Sequence, residues 1–502
     1  MNANLYALFA SNFPGDASTC CIENHDGLFY SWDDLERATA KIANSLASLN
    51  LPQGARIAVQ VEKSPEALML YLASVRAGFV YLPLNTAYRA SEIDYFLNDA
   101  EPAVVVCSPA HFGWVSSIAF KAGATHVFTL GEDRDGTLLA RAAHQPDTFE
   151  TVARAPDDLA AILYTSGTTG RSKGAMLTHD NLASNAKVLK DYWHWQESDV
   201  LLHALPLFHV HGLFVASHGA LLNGSKMIFL PKFDNESVVR HLPRATVFMG
   251  VPTYYVRLLA DPSFKREVCS SMRLFISGSA PLLTDTFEEF SRRAGHTILE
   301  RYGMSETTML TSNPYAGKRI GGTVGLPLPG VSVRVVNQDG AACAPGEIGD
   351  IGVKGPNVFK GYWRMPEKTA EEFTSDAYIK TGDVGKVDDN GYLSIVGRSK
   401  DLIISGGYNV YPKEIESVID EIDGVVESAV IGVPHPDFGE AVVAAVVTGP
   451  NASFSEGDII AALKTKIANF KVPKRIFFVD ELPRNTMGKV QKNMLRQQFE
   501  KA

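Results

Sequence analysis

A segment rich in glycine, hydroxyl and basic side chains carries the clearest chemical signal in the sequence. It spans residues 164–174, and its candidate ligand-binding residues are Thr165, Ser166, Gly167, Thr168, Thr169, Gly170 and Lys173. Glycines let a backbone turn with its N–H groups facing inward, while hydroxyl and ammonium groups add donors. These properties predict a loop that binds phosphate oxygens, with a flexible surface loop as the alternative. Lys173 is followed by Gly174 rather than by serine or threonine, so the segment does not match the ordinary P-loop.

The loop directly follows one of several short apolar segments that predict buried strands. These segments cover residues 55–61, 103–107, 125–130, 159–164, 226–230, 246–251 and 273–277. Stretches such as 65–77, which lie between them, have helical character. Strands that alternate with helices favour parallel sheets that are covered on both faces. We therefore expect an α/β fold for this part of the chain.

The sequence pattern changes after about Gly325. Turn signals separate apolar segments at 331–336, 349–353 and 391–396, which predicts a small antiparallel, barrel-like subdomain. Beyond residue 398 come a helix at 412–422, strands at 427–433 and 441–447, and a helix at 456–467. We predict a large N-terminal domain over residues 1–398 and a small α+β domain over residues 399–502.

Composition argues against several classes of protein. The chain has 502 residues, 45% of them hydrophobic, and a formal net charge of −9, which disfavours nucleic-acid binding. No apolar run approaches the ~18 residues of a membrane span. The five cysteines form no C-x-x-C pair, which favours reduced thiols and a cytoplasmic location. Residues 464–501 hold ten lysines or arginines against three acidic residues, which suits either a polyanionic ligand or an ordinary charged surface.

Seven motifs in a fixed order make the chain similar to the acyl-adenylate-forming family, which includes acyl-CoA synthetases, luciferases and peptide-synthetase adenylation domains. The motifs occupy residues 165–173, 206–209, 277–281, 300–306, 381–383, 397–401 and 483–489, nearly the whole chain. The resemblance implies a large AMP-binding domain and a small mobile domain that carries a catalytic lysine. It also implies that ATP, with Mg²⁺, activates a carboxylic acid as its adenylate and that coenzyme A accepts the acyl group.

The resemblance assigns nucleotide-binding roles to many residues. Thr165 and the loop that follows it would bind the phosphates, while Glu306 and Thr165 would hold Mg²⁺. The other predicted nucleotide contacts are Ser279, Ala280, Pro281, Glu300, Arg301, Tyr302, Gly303, Met304, Ser305, Asp383 and Arg398. Asp383 would accept hydrogen bonds from the ribose, although an aspartate after a glycine is also typical of a plain turn.

The same resemblance assigns roles in catalysis and domain movement. Lys489 would bridge the attacking carboxylate and the α-phosphate, although taken alone it is one basic residue among ten. His209 would flank the acyl carboxylate, and the alternative is a buried structural histidine. Lys400 would be the hinge of the small domain. Gly406 and Gly407 would line the path of the pantetheine thiol.

The resemblance implies that the helix after residues 250–253 lines the acyl pocket, and two arginines near it indicate a dicarboxylic acid. Arg257 lies one turn after Thr253, and Arg301 lies within the 300–306 motif. Because an unpaired buried guanidinium is costly, its counterpart would be a second carboxylate on the substrate. The pairing resembles that of malonyl-CoA synthetases, with malonate expected first and methylmalonate second, and Ser277 and His209 are expected in the same pocket. The alternative is that Arg257 pairs with a surface acid.

Other functions remain open from the sequence alone. A ligase for a different short, fatty or aryl acid would carry the same motifs. Activation of an acid for a carrier protein is disfavoured, because we expect no carrier domain after Lys489 and only small-molecule partners. A catalytically inactive nucleotide-binding regulator is disfavoured because Lys489 and Glu306 are both present.

Overall fold

The computed structural model describes residues 2–165, 172–405, 408–435, 438–450, 452, 454–485 and 488–500. The helices are α1 Leu5–Ala10, α2 Trp32–Ala47, α3 Pro65–Arg76, α4 Ala90–Ala100, α5 Phe112–Lys121, α6 Thr137–Ala142, α7 His179–Tyr192, α8 His218–Leu222, α9 Asn235–His241, α10 Pro252–Ala260, α11 Thr284–Ala294, α12 Pro366–Glu372, α13 Pro412–Asp420, α14 Glu456–Lys466 and α15 Lys492–Phe499. A π-helix covers His211–Ser217, and short 3₁₀ helices cover Pro109–His111, Leu242–Arg244, Arg266–Cys269 and Ser399–Asp401. No helix in the described ranges is long and apolar enough to cross a membrane.

The strands of the N-terminal part are β1 Cys20–Asn24, β2 Phe29–Ser31, β3 Arg56–Gln60, β4 Val80–Pro83, β5 Val104–Cys107, β6 His126–Thr129, β7 Leu159–Thr165, β8 Lys173–Thr178, β9 Val200–His203, β10 Lys226–Phe229, β11 Val247–Gly250, β12 Leu274–Ser277, β13 Leu299–Met304, β14 Thr308–Ser312, β15 Leu326–Pro327, β16 Ser332–Val336, β17 Gly349–Lys354, β18 Gly361–Tyr362, β19 Ile379–Val387 and β20 Leu393–Arg398. The C-terminal strands are β21 Ile403–Ser405, β22 Tyr408–Val410, β23 Val425–His435, β24 Gly439–Thr448 and β25 Arg475–Phe478.

Two large sheets dominate the N-terminal part and confirm the predicted α/β fold. The first has the order β15-β14-β13-β12-β11-β9-β10-β1-β2, and the second has the order β18-β8-β7-β4-β3-β5-β6. Their central pairs are parallel. Helix α3 is buried along its whole length, because one hydrophobic core joins it to strands of both sheets. Such strands have to be apolar on both faces, and this explains why their sequences are nearly continuous apolar runs.

The predicted phosphate loop connects two antiparallel strands rather than a strand and a helix. β7 and β8 form a hairpin whose register sets Thr165 opposite Lys173. The next helix, α7, begins only at His179, where the Thr178 hydroxyl accepts a hydrogen bond from the Asn181 N–H. The structure therefore sets Thr165 and Lys173 side by side at the base of a loop whose residues 166–171 lie outside the described ranges.

Two antiparallel sheets follow, as the turn signals predicted. One has the order β16-β17-β19-β20. The C-terminal sheet has the order β22-β21-β24-β23, and β25 pairs with β24 in parallel. Alternate residues of β23 enter different cores, since Val430 packs with α13 and α14 whereas Ile431 packs with α15. This sheet, covered by helices on both faces, is the small α+β domain expected from the sequence.

Candidate active site

The carboxyl ends of three neighbouring parallel strands define the candidate site. β11 pairs with β12 so that Gly250 lies opposite Ser277, and β12 pairs with β13 so that Ser277 lies opposite Glu300. Residues at and just after these strand ends, including Arg301, therefore meet in one place. A cleft at the carboxyl edge of a parallel sheet is where α/β proteins bind ligands.

Arg301 is buried here without a counterion. It is 3% exposed, and its Nε and Nη2 groups have no hydrogen-bond partner within the described part of the chain. Burial lowers the pKa of Arg301 to about 9, which still leaves the side chain charged at neutral pH. Gly278 packs against it. A Cβ atom at Gly278 would lie 2.4 Å from the guanidinium carbon, so a larger residue here would have to displace the Arg301 side chain.

Arg273 shows how the Nε–Nη2 edge of a guanidinium pairs with a carboxylate in this protein. Arg273 donates from Nε to Oδ1 of Asp199 at 2.7 Å, and its Nη2 donates to Oδ2 of the same carboxylate. This two-point contact is the geometry by which arginine recognises carboxylates. The same Nε–Nη2 edge of Arg301 has no carboxylate partner among the residues that the structure describes, and it is buried. A ligand carboxylate would pair with it after displacing the side chains that cover it.

His209, His211 and Ser277 add polar atoms beside Arg301, and we call these four residues the polar pocket. Burial, reinforced by the charges of Arg301 and Lys489, lowers the pKa of His209 to about 4, so its ring is neutral at pH 7. The backbone N–H of His211 donates to Nδ1 of His209 at 3.3 Å. Nε2 of His211 and Oγ of Ser277 are buried and find no partner among the described residues. His211 also begins the π-helix, an uncommon element that frequently occurs at functional sites.

Lys489 extends from the small domain into the same cleft. Its backbone N–H donates to Oδ1 of Asn485 at 2.9 Å, and a Cβ at the preceding Gly488 would lie 3.3 Å from Oγ1 of Thr253. The Lys489 side chain is exposed. Crowding by the surrounding protein, followed by the charge of Arg398, lowers the pKa of Lys489 to about 8. The structure thus brings the C-terminal lysine to the N-terminal site residues.

Asp383 is held by two partners at the edge of the cleft. It lies opposite Arg398 across β19 and β20, and Nε of Arg398 lies 2.7 Å from its Oδ1. Tyr302 donates a hydrogen bond to its other carboxylate oxygen. The result is a buried, oriented carboxylate that can accept hydrogen bonds from a diol such as that of ribose.

Glu306, the predicted Mg²⁺ ligand, lies among aromatic and basic side chains. It is 6% exposed, and burial raises its pKa while Lys173 and Arg398 act in the opposite direction. Tyr362 donates to Oε1 of Glu306 at 2.9 Å. Nζ of Lys173 lies 3.0 Å from Oε1 of Glu372 and 4.1 Å from the centre of the Tyr362 ring. One buried carboxylate near the basic side chains of Lys173 and Arg398 fits Mg²⁺, which commonly takes one or two protein carboxylates together with substrate phosphates.

The predicted adenine shelf, residues 279–281, forms a strained turn. Ser279 has a φ of +72°, a region that non-glycine residues seldom adopt outside functional sites, and its Oγ lies 3.3 Å from Nδ1 of His211. Behind the turn, the Leu282 N–H donates to Oε1 of Glu300 at 3.2 Å. Burial raises the pKa of Glu300 to about 8, so this carboxyl group fixes the turn in a largely neutral state at pH 7.

The segment from Tyr302 to Glu306 is shaped by a close backbone approach. A β-bulge interrupts the pairing of β13 and β14 between Tyr302 and Gly303. A Cβ at Gly303 would lie 1.9 Å from the carbonyl oxygen of Thr308, so the position requires glycine. Half-buried Met304 and Ser305 then lead to Glu306.

Some predicted site residues lie apart from this cluster or outside the described ranges. Arg257 is exposed in the last turn of α10, in contrast to the buried Arg301. Lys400 is exposed in the 3₁₀ turn Ser399–Asp401, which follows β20. Residues 166–170 and 406–407 are not described. The roles assigned to all of these residues remain predictions.

Sequence analysis missed Tyr362 as a partner of the predicted Mg²⁺ ligand. The two-residue strand β18 pairs with β8, and this pairing brings Tyr362 to Lys173 and Glu306. A strand of two residues has no periodicity. The sequence therefore offers no local signal for this contact.

Family models match most of the chain. Residues 9–363 match the model described as AMP-binding enzyme, and residues 414–489 match the model described as AMP-binding enzyme C-terminal domain. The chain belongs to the AMP-binding enzyme family, which confirms the resemblance drawn from its motifs. Among relatives, it is 37% identical to a malonate–CoA ligase of Arabidopsis thaliana over 480 residues, which cover 89% of this chain and 78% of the relative.

Two solved structures of one bacterial protein are also similar to the chain. The crystal structure of ATP-bound MatB from Rhodopseudomonas palustris is 57% identical, with a TM-score of 0.98 and coverage of 100% of this chain and 99% of that one. The apo form of MatB has the same identity and the same coverage but a TM-score of 0.87. The arrangement of the present chain is therefore nearer to the ATP-bound form.

Proposed function

We propose that the chain is an AMP-forming acid–thiol ligase that converts malonate, ATP and coenzyme A into malonyl-CoA, AMP and pyrophosphate. The observation that carries the choice of acid is the unpaired Nε–Nη2 edge of buried Arg301. The similarity to a malonate–CoA ligase supports the same substrate. Methylmalonate is a second proposed substrate, because one methyl group is worth only ~1–3 kcal/mol in a pocket.

In the first half-reaction, a malonate oxygen attacks the α-phosphorus of ATP. A new P–O bond forms, and pyrophosphate leaves with the electron pair of the bond that breaks. Lys489 neutralises the two anions as they approach each other, and Arg301 orients the acid by binding its second carboxylate. The neutral ring of His209 flanks the reacting carboxylate without adding a further positive charge.

The nucleotide would be held by the residues around Asp383 and Glu306. Asp383, oriented by Tyr302 and Arg398, would accept the ribose hydroxyls. Glu306 would bind the Mg²⁺ that enters with ATP. Thr165 and Lys173, together with residues 166–170, would bind the phosphates, and residues 279–281 would lie against the adenine.

In the second half-reaction, the thiol of coenzyme A attacks the carbonyl carbon of malonyl-adenylate. A C–S bond forms, the C–O bond to AMP breaks, and the thiol proton passes to solvent. We place the domain boundary between residues 398 and 399 and the hinge at Lys400, since β20 ends at Arg398 and the two family matches are separated by residues 364–413. After rotation about this hinge, Gly406 and Gly407 would line the thiol path.

Cytoplasmic action is part of the proposal. It is supported by the five cysteines, all of which are free thiols and three of which are buried. Reduced thiols are the norm in the cytoplasm, where disulfides are rare.

Pyrophosphate release across a panel of acids tests the proposal. The panel holds malonate, methylmalonate, succinate, acetate, butyrate and benzoate, each with ATP, Mg²⁺ and coenzyme A. We expect kcat/KM for malonate to exceed that for the monocarboxylates by about 10²-fold or more, because each of them leaves the guanidinium unpaired. Equal use of acetate would refute the assignment of malonate but leave the adenylation chemistry intact. If no acid releases pyrophosphate, the ligase assignment itself fails.

A further inference from the structure

A lysine and a histidine form a linked pair behind the polar pocket. Lys63 follows β3, and His203 ends β9. Nζ of Lys63 lies 2.8 Å from the carbonyl oxygen of His203 and 3.0 Å from its Nδ1. The other ring nitrogen, Nε2, lies 3.0 Å from the carbonyl oxygen of Gly212 and 3.0 Å from Oγ of Ser217. Lys63 therefore reaches Gly212 through a single imidazole ring.

These contacts define the tautomer of His203. Nε2 faces the Gly212 carbonyl, which only accepts, and the Ser217 hydroxyl, which can also donate, so these two partners alone do not fix the tautomer. Lys63 donates to Nδ1, which must therefore be the unprotonated nitrogen. Burial lowers the pKa of His203 well below its usual value, which agrees with a neutral ring. Burial also lowers the pKa of Lys63, and its amine has N–H groups to donate in either protonation state.

Gly212 and Ser217 belong to the π-helix that carries the pocket histidine His211. The Ser217 hydroxyl also donates to the Gly212 carbonyl at 3.0 Å, so this oxygen receives two side-chain hydrogen bonds. A Cβ at Gly212 would lie 2.0 Å from the carbonyl oxygen of Pro206, so the two backbone segments approach too closely for any side chain at this position. The position of Gly212 thus sets the position of its neighbour His211.

We propose that Lys63 is a positioning residue: by fixing the tautomer of His203 it holds the Gly212 carbonyl, and through the π-helix it sets His211 and His209 against Arg301. The inference rests on the proposed function, because the polar pocket is the part of the site assigned to malonate. Lys63 does not act on the reacting atoms itself. Its effect falls mainly on acid binding, since the nucleotide residues around Asp383 lie on other elements and only the contact of His211 with Ser279 links the π-helix to the predicted adenine shelf.

A double-mutant cycle tests the inference with ATP, Mg²⁺ and malonate in the absence of coenzyme A, where hydroxylamine traps the adenylate. Lys63→Met should lower kcat/KM for malonate about 10²-fold, as expected when a pocket shifts by about 1 Å, and should change the KM for ATP much less. His203→Gln supplies an amide donor near the Nε2 position and needs no partner to fix a tautomer. In that background Lys63→Met should cause no further loss.

Two variants and one control complete the design. Lys63→Gln, which still donates, should retain activity near wild type, whereas His203→Asn has too short an amide to reach Gly212 and should reproduce the loss. If Lys63→Met does not fold, these two variants still test the positioning role of Lys63. Lys226→Met is the matched control, because it removes another partly buried lysine that contacts Glu23 at 2.6 Å, and it should leave the malonate constants unchanged.

NMR of ¹⁵N-labelled histidine, with His203→Gln identifying the His203 resonances, gives a readout that does not depend on the substrate. Wild type should show His203 as a single Nε2–H tautomer, and Lys63→Met should show exchange between tautomers. Additive losses in the cycle, an unchanged tautomer in Lys63→Met, or an effect on the KM for ATP as large as the loss with malonate would overturn the inference. A wild type that is inactive with malonate refutes the proposed function instead, and the NMR comparison still tests the link between Lys63 and His203.

Discussion

Replacing Arg301 with methionine separates substrate recognition from stability. Without ligand, the buried guanidinium has two N–H groups that lack a partner in the described structure, so Arg301→Met removes an uncompensated charge and not an interaction. Exchanging buried ionic groups for apolar side chains of similar volume is often neutral or stabilising by about 1–4 kcal/mol. We therefore expect the free energy of unfolding of the ligand-free variant to equal or exceed that of wild type.

The same change should greatly reduce the use of malonate. A hydrogen bond to a charged group contributes about 1.5–3 kcal/mol, so loss of the Nε and Nη2 contacts costs about 3–6 kcal/mol. This corresponds to a fall in kcat/KM for malonate of about 10²–10⁴-fold. Acetate has no second carboxylate, so Arg301→Met should use it at least as well as wild type does.

Arg273→Met is the matched control, because Arg273 makes with Asp199 the contact that Arg301 lacks. Its loss leaves a buried carboxylate unpaired and should lower the free energy of unfolding by about 3–5 kcal/mol, with no change in the ratio of malonate to acetate use. Urea unfolding and pyrophosphate release with both acids measure the two effects. Equal losses with malonate and acetate, or destabilisation of Arg301→Met as large as that of the control, would show that Arg301 is a structural cation.

Three further changes test other parts of the site. Gly278→Ala puts a Cβ 2.4 Å from the Arg301 guanidinium carbon and should lower kcat/KM for malonate about 10²-fold while sparing acetate, as the acid panel would show. Lys489 has to be protonated to neutralise the anions, and its pKa is lowered to about 8, so kcat/KM for ATP in adenylate trapping should fall as the pH rises through about 8. Lys489→Arg should be slower, but because it stays charged its kcat/KM should not fall in this pH range. A pH profile of Lys489→Arg identical to that of wild type would contradict the assignment. Tyr362→Phe removes the hydrogen bond to Glu306 and should raise the KM for MgATP about tenfold with the KM for malonate unchanged. An unchanged KM for MgATP would argue against Glu306 as the Mg²⁺ ligand.

The parallel strands could be predicted from the sequence, because a strand that is buried on both faces must be apolar throughout. For example, β10 is expected at residues 226–230 and covers Lys226–Phe229. β8 was missed, since Lys173–Thr178 mixes small, basic and apolar residues and does not read as such a run. Arg301 and Lys489 could be singled out from the sequence because each lies within a short contiguous motif. The contacts Tyr362–Glu306 and Lys63–His203 join positions 56 and 140 residues apart, and no local pattern encodes them. Exposure of Arg257 likewise depends on which face of α10 meets the core, a property set by packing.

The neighbourhood of His209 indicates why the proposed substrate is a short diacid. Arg301 and Lys489 both lie close enough to lower the pKa of His209, so the two cations flank one neutral ring. In the proposed binding mode, an acid bound there would set one carboxylate on Arg301 and present the other to Lys489 and the α-phosphate. A monocarboxylate would leave the guanidinium unpaired. Protonation of His209 would add a third positive charge, and burial prevents this at neutral pH. Binding of the non-reacting carboxylate thus holds the reacting one in line for attack, which directs binding energy into the rate of adenylation.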